Sequence, residues 1–109
     1  MAERTSSEQY LYLTTRGRRS GKAREIEIWY TLHGHRYYVI AEYPTSNWVR
    51  NLQADPAVQV RVAGTAFSAH ARVISPQAEP ELHGTIQQLS RDKYGWGDGL
   101  VVEFIPDPA

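Results

Sequence analysis

The feature that most constrains the fold is a two-residue alternation of apolar and polar side chains, repeated in short segments separated by turn residues. The segment Glu25 to Leu32 shows it most clearly, because every second position is apolar: Ile26, Ile28, Tyr30 and Leu32. Successive side chains of a β-strand point to opposite faces, so this pattern predicts a strand with one buried face. The chain is therefore expected to be mainly β.

The same pattern predicts six strands in all. They run from Tyr10 to Thr15, Glu25 to Leu32, Tyr37 to Ala41, Val58 to Val62, Ala66 to Ile74 and Leu100 to Ile105. Turns centred on Gly34 and Gly64 would join the second to the third strand and the fourth to the fifth, as antiparallel hairpins. Pro106 would end the last strand.

Two segments have helical spacing instead. The first runs from about Trp48 to Ala54, with Val49 and Leu52 toward the core, and the pair Asp55-Pro56 ends it. The second runs from Glu79 to Tyr94 and carries three apolar residues at helical spacing: Leu82, Ile86 and Leu89. Six strands and two helices predict a small closed or nearly closed antiparallel barrel with helices packed outside.

Length and composition limit the other possibilities. A chain of 109 residues is expected to form one domain over residues 1–109, with residues 1–9 as a loose N-terminal segment. There is no cysteine, which excludes disulfides and thiolate chemistry. No signal peptide and no stretch long and apolar enough to span a membrane is found, so a cytoplasmic location is expected.

The segment between the first two strands is strongly basic. Residues 14–24 contain no acid and five cations: Arg16, Arg18, Arg19, Lys22 and Arg24. Because the chain has 12 Lys and Arg against 12 Asp and Glu, this charge is local, which favours a small anion site over a nucleic-acid-binding face. Glycine N–H groups and arginines there predict a phosphate or carboxylate clamp, with a solvated basic loop as the alternative.

Known phosphate-binding and catalytic motifs do not match. The stretch GRRSGKA lacks the spacing of a phosphate-binding loop, and Ser20 lies outside the turn context that a serine nucleophile requires. His33 and His35 flank a turn and are expected to be turn residues, so no metal site is predicted. Tyr94 and Trp96 lie among glycines in KYGWGDG, which indicates either a segment near a pocket mouth or a helix end followed by a turn.

Three stretches carry a family resemblance that spans residues 10–74. YLTTRGRRSGKAREIEIWY, then NWVRNLQADPAVQVRV, then FSAHARVI resemble the deazaflavin-dependent nitroreductase family of the flavin mononucleotide-binding-like split β-barrel superfamily. The resemblance implies a six-stranded antiparallel split β-barrel with flanking helices. It also implies coenzyme F420, a deazaflavin with a phosphate and a chain of glutamates, with flavin mononucleotide as the alternative cofactor.

The resemblance further implies a set of cofactor-binding residues: Thr14, Thr15, Gly17, Arg18, Arg19, Ser20, Gly21, Arg24, Trp48 and Asn51. Tyr94 and Trp96 would bind the acceptor substrate. The reaction would be hydride transfer from the cofactor to a quinone or an activated nitro compound, without a catalytic side chain. The stretch 42–47 departs from the family, since it has neither the glycines nor the lysine found there.

The partner implied by this activity is a small-molecule electron acceptor, and a homodimer is plausible. The alternative function is a non-catalytic module that binds a flavin, a deazaflavin or another anionic ligand. Binding of a nucleic acid strand is least favoured, because the remainder of the chain has a net negative charge.

Overall fold

The computed structural model describes residues 9–108, so the expected loose segment 1–9 lies outside the described residues except for Gln9. Its elements in chain order are β1 (Tyr10–Arg16), β2 (Ala23–Trp29), β3 (Thr31–His33), β4 (Arg36–Ala41), α1 (Asn47–Ala54), β5 (Ala57–Val62), β6 (Thr65–Val73), α2 (Pro80–Tyr94) and β7 (Leu100–Pro106). Both helices agree with the predicted ones to within one residue at each end.

The strands of the described part form one sheet of seven, in the order β2-β1-β5-β6-β7-β4-β3. All neighbouring strands in it are antiparallel. The two edge strands, β2 and β3, are consecutive in the chain and are separated by Tyr30 alone. The sheet must therefore curl until its two edges come together, although no ladder of hydrogen bonds joins them. This is the predicted mainly β split barrel, and the fold class is confirmed.

The number of strands differs from the prediction, because the expected strand Glu25 to Leu32 breaks at Tyr30. Tyr30 and Thr31 are both buried, at 5% and 6% exposure, whereas Leu32 is 56% exposed. Thr31 lies opposite Tyr38, on the face that α2 covers, and Leu32 lies opposite Tyr37 at the free edge of the sheet. Thr31 is therefore buried from the outer face, and the inward-facing positions keep their alternation. Alternation of side chains does not reveal which strand a segment pairs with. The sequence therefore predicts one strand where the structure has two, one at each edge of the sheet.

Two apolar clusters hold the barrel together. The larger lies inside it and combines inward-facing residues of the strands with Leu52 of α1: Leu11, Leu13, Val39, Val58, Val60, Val62, Ala69, Val102 and Phe104. The smaller lies between α2 and the outer face of the sheet, where Ile86 packs with Tyr38, Ile74 and Val101. The predicted core residues Val49, Leu52 and Ile86 are buried, and Leu82 and Leu89 are partly buried.

Two-residue turns close the predicted hairpins. Gly34 and His35 have φ of 58° and 66°, and Ala63 and Gly64 have φ of 51° and 79°. Positive φ at both central residues gives a turn whose twist matches that of the two flanking strands. The hairpins β3–β4 and β5–β6 are therefore closed by the turns that the sequence predicts.

Candidate functional site

The basic loop between β1 and β2 is a tight turn that its own backbone stabilises. The N–H of Gly17 donates to the carbonyl of Lys22 at 2.8 Å, and the N–H of Gly21 donates to the carbonyl of Gly17 at 2.8 Å. Gly21 has a φ of 72°, a conformation that favours glycine, and Arg16 donates to its carbonyl at 2.8 Å. The loop therefore has a shape that its own hydrogen bonds stabilise.

Asn51 of α1 joins this loop to the helix. Its side chain is buried, its Nδ2 donates to Thr15 Oγ1 at 3.3 Å, and its Oδ1 accepts from the backbone N and the Nη1 of Arg18, at 3.2 and 2.8 Å. The Arg18 guanidinium also donates to the side-chain oxygen of Asn47 at 3.3 Å. The Arg18 guanidinium is thus hydrogen-bonded to α1 and positions the loop against that helix.

Loop and helix enclose a cavity of about 600 Å³. Eight of the ten residues predicted to bind the cofactor line it: Thr15, Gly17, Arg18, Arg19, Ser20, Arg24, Trp48 and Asn51. No carboxylate is among its lining residues in the described part of the chain. Within residues 9–108 the guanidinium groups of Arg19 and Arg24 have no hydrogen bond or ion pair, so they are available to an anion.

The other two predicted residues lie elsewhere. Gly21 shapes the turn but does not line the cavity, and Thr14 lies on the outward face of β1, where it lines a smaller cavity of about 330 Å³. This smaller cavity has charges of both signs, including Arg16, Asp55 and Asp107. The cationic cavity is therefore the better anion site of the two.

A second large cavity, of about 540 Å³, adjoins the first, and Trp48 lines both. Its other aromatic lining residues are Tyr10, Trp29, Tyr43 and Trp96. Glu27 and Glu42 also line it, and no Lys or Arg does in the described residues. The two cavities thus have opposite charge and meet at one tryptophan. We call them the cationic cavity and the aromatic cavity.

Of the two residues predicted to bind the acceptor, Trp96 lines the aromatic cavity and Tyr94 does not. The Tyr94 ring stacks on Trp29, with centroids 4.4 Å apart and planes 6° apart. Its hydroxyl accepts from the backbone N of Tyr30 at 3.1 Å and lies 2.7 Å from the carbonyl of Gln9 and 2.9 Å from that of Tyr30. Burial raises the pKa of Tyr94 to about 12, so the hydroxyl keeps its proton at neutral pH. Tyr94 therefore supports the crossing from β2 to β3.

The glycines around Trp96 have packing reasons. Gly95 is the left-handed residue that ends α2, with a φ of 83°. A Cβ at Gly97 would collide with the carbonyl of Gln87, and one at Gly99 would collide with that of Ala41. The helix end and turn considered for this segment are therefore present, and they bring Trp96 to the cavity.

The sequence reasoning missed Glu27, Glu42 and Tyr43 as candidate site residues. The alternation of its strand predicts that Glu27 faces solvent, and Glu27 is exposed in the structure. The signal for the other two was the unusual stretch 42–47, which follows β4 and precedes the tryptophan helix.

The curled sheet with a cationic cavity at a basic loop places the chain in the class of split β-barrel proteins. The sequence model of the F420H(2)-dependent quinone reductases matches residues 2–97. The chain belongs to the F420H(2)-dependent quinone reductase family. The resemblance to F420-dependent enzymes drawn from the sequence is thereby confirmed. No curated protein sequence matches the chain significantly.

Solved structures support the fold. The F420-H2 dependent reductase FDR-A is 22% identical with a TM-score of 0.68, and the match covers 91% of this chain and 94% of that one. HutZ, the heme storage protein from Vibrio cholerae, is 16% identical with a TM-score of 0.76, covering 93% and 83%. A FAD-binding protein from Mesorhizobium loti is 9% identical with a TM-score of 0.74, covering 99% and 91%. At such identities the likeness shows the fold alone.

Two further features are absent from residues 9–108. No three His, Asp or Glu side chains come together in a way that would hold a metal ion. No helix in this range has the length and apolarity that crossing a membrane requires.

Proposed function

We propose that this chain is an F420-dependent oxidoreductase that reduces a small quinone-type acceptor. The observation that carries the proposal is the pair of adjoining cavities of opposite character, one cationic and one aromatic, which meet at Trp48. Membership of the F420H(2)-dependent quinone reductase family supports both the cofactor and the class of reaction.

The cationic cavity has the donors that an F420 tail of phosphate and glutamate carboxylates requires. Arg19 and Arg24 have unpaired guanidinium groups in the described residues, and guanidinium forms strong charge-assisted bonds with oxyanions. Ser20 Oγ accepts from the N–H of Lys22 at 3.1 Å, which leaves the Ser20 hydroxyl hydrogen to donate. The residues present therefore fit an anionic cofactor.

The chemistry itself belongs to the cofactor. When bound in its reduced form, F420 would supply a hydride to the quinone and release one proton to solvent, while the reduced quinone would take up one proton from solvent to give the hydroquinone. Arg19 and Arg24 would bind the tail, Asn51 and Arg18 hold the loop against α1, and the aromatic side chains around Trp48 would give the acceptor an apolar surface. No side-chain nucleophile is required.

Two titrations and one turnover assay test this function. Oxidised F420 and flavin mononucleotide are titrated in parallel at low and moderate salt, and reduced F420 is then mixed with 1,4-naphthoquinone. We expect salt-sensitive binding of F420 and oxidation of its reduced form by the quinone. Binding without turnover would indicate the non-catalytic module, and binding of neither cofactor would overturn the proposal.

We expect Asn51→Ala to weaken F420 binding about tenfold, because the basic loop loses its anchor on α1. The change also leaves the buried Thr15 hydroxyl without its side-chain partner, so the free energy of unfolding should fall by about 1 to 3 kcal/mol. Fluorescence titration measures the affinity and urea denaturation the stability. Gln53→Ala, an exposed change on the same helix, is the control. Native affinity in Asn51→Ala would contradict the anchoring role.

The homodimer and the cytoplasmic location expected from the sequence stay predictions, as do the single domain over 1–109 and a nitro compound as an alternative acceptor. Sedimentation equilibrium of the purified chain tests the first of these. The turnover assay with a nitroimidazole in place of the quinone tests the last.

A further inference from the structure

We propose that the aromatic cavity binds the electron acceptor and that Glu27 and Glu42 make it select neutral or positively charged planar molecules over negatively charged ones. The assignment of this cavity to the acceptor rests on the proposed function, whereas its preference for charge follows from its own residues. The acceptor class is therefore a planar aromatic or quinonoid molecule without an acidic substituent.

The shape and lining of the cavity suit a flat ring system. Its volume of about 540 Å³ lies within the usual range for small-molecule sites. Trp29 is held by its stacking on Tyr94, and the carbonyl of Trp96 accepts from Ser90 Oγ at 2.6 Å. The first contact holds the ring of Trp29 and the second holds the backbone of Trp96, and aromatic rings of this kind offer flat apolar surfaces.

The charge of the cavity comes from two carboxylates that reach it from different elements. Glu27 is on β2, and its Oε2 accepts from the Tyr12 hydroxyl at 3.0 Å, which fixes the carboxylate. Glu42 follows β4 and has no hydrogen bond or ion pair within residues 9–108. No cation among the described lining residues offsets these charges.

The two adjoining cavities have opposite charge, so each of them favours a different ligand. An acidic acceptor would bind better in the cationic cavity, at Arg19 and Arg24, where it would compete with the cofactor tail. Repulsion by Glu27 and Glu42 lowers the affinity of the aromatic cavity for anions and leaves neutral rings unaffected. Because both carboxylates are exposed, solvent weakens the effect, and we expect about a threefold change for each.

The first test compares two acceptors across variants. With reduced F420, kcat/KM for 1,4-naphthoquinone-2-sulfonate is expected to rise about tenfold in Glu27→Gln/Glu42→Gln, mainly through KM, and about threefold in each single variant. The value for neutral 1,4-naphthoquinone should stay within about twofold. Each acceptor is compared with itself across variants, so the different reduction potentials of the two quinones do not enter. Glu81→Gln, which removes an exposed charge on α2 outside the cavity, is the control.

The second test needs no cofactor. The chain has three tryptophans, and all of them line the aromatic cavity, while Trp48 also lines the cationic one. Quenching of intrinsic fluorescence is therefore measured in an Arg19→Ala/Arg24→Ala background, in which the cationic cavity attracts the sulfonated quinone less. In the double variant Glu27→Gln/Glu42→Gln the Kd of the sulfonated quinone should fall about tenfold, and moderate salt should reduce the difference from the background protein. Glu42→Lys should lower this Kd further, which gives a second route to the same answer.

The outcomes separate the two proposals. An unchanged Kd of the sulfonated quinone in both the double variant and Glu42→Lys would overturn the selection by charge, whatever the turnover. The expected fluorescence result without any oxidation of reduced F420 would support the selection by charge and overturn the proposed oxidoreductase function and the acceptor assignment with it.

Discussion

Arg19→Ala combined with Arg24→Ala is expected to weaken F420 binding by about two to four orders of magnitude. These are the arginines that line the cationic cavity with guanidinium groups unpaired in the described residues, so their donors are available to phosphate and carboxylate oxygens. A charge-assisted hydrogen bond contributes about 1.5 to 3 kcal/mol, and losing one at each arginine raises the binding free energy by about 3 to 6 kcal/mol. Fluorescence titration of F420 at low and moderate salt measures the change.

A matched control removes two positive charges from the same region without touching the cavity. Lys22→Ala combined with Arg50→Ala does this, since Lys22 is on the loop and Arg50 on α1, and neither lines the cavity. The control should lose only long-range electrostatic attraction. Its affinity for F420 should fall a few-fold, and salt should reduce this difference from the native protein. If Arg19→Ala/Arg24→Ala bound F420 no more weakly than this control, the cationic cavity would not be where the tail binds.

The general location of the candidate site could be predicted from the sequence, because a run of cations without acids and a tryptophan-containing helix are both local patterns. Their proximity depends on the tertiary structure, because the hydrogen bond that joins them runs from Arg18 to Asn51. The sequence could not tell Arg18 from Arg19. Both are arginines of one loop, yet the first donates to Asn47 and Asn51 while the second is unpaired in the described residues.

The aromatic cavity shows why other parts escaped prediction. Glu27 faces outward from β2, as its alternation predicts, and becomes part of a cavity only because Glu42 and Trp96 reach the same place from elements distant in sequence. The break at Tyr30 had a similar cause. Its backbone contacts Tyr94 and Lys93 of α2 at the crossing between the two sheet edges, and alternation within the strand carries no information about either helix residue.

A second large effect is expected away from both cavities, at Glu103 in β7. This carboxylate is 1% exposed and lies opposite Tyr38 of β4 and Arg72 of β6 in the sheet. It accepts from the Tyr38 hydroxyl at 2.6 Å, from Arg72 Nε at 3.0 Å and from Arg36 Nη1 at 3.3 Å. Burial alone would raise the pKa of Glu103, but the hydrogen bonds from Tyr38 and Arg72 and the charge of Arg72 outweigh it, so the pKa lies below the usual value.

Glu103→Ala is expected to lower the free energy of unfolding by about 2 to 4 kcal/mol at pH 7, as measured by urea denaturation. The buried Tyr38 hydroxyl loses its acceptor, whereas Arg36 and Arg72 are 46% and 42% exposed and can turn to water, which keeps the loss below that of a fully buried pair. Glu103→Gln keeps an acceptor for Tyr38 and should cost less. Native stability in Glu103→Ala would contradict the structural role of the cluster.

The pH dependence of the free energy of unfolding tests whether the charge of Glu103 is the source of this stabilisation. Because the folded pKa of Glu103 is lowered, its ionised form stabilises the fold fully above the unfolded pKa near 4.5, and that stabilisation is lost as the pH falls through the folded value. The difference in unfolding free energy between the native chain and Glu103→Gln should therefore be constant from pH 7 to about 5.5 and should shrink below about pH 4.5. A difference that stays constant down to pH 3 would mean that packing and hydrogen bonds, and not the carboxylate charge, account for the effect.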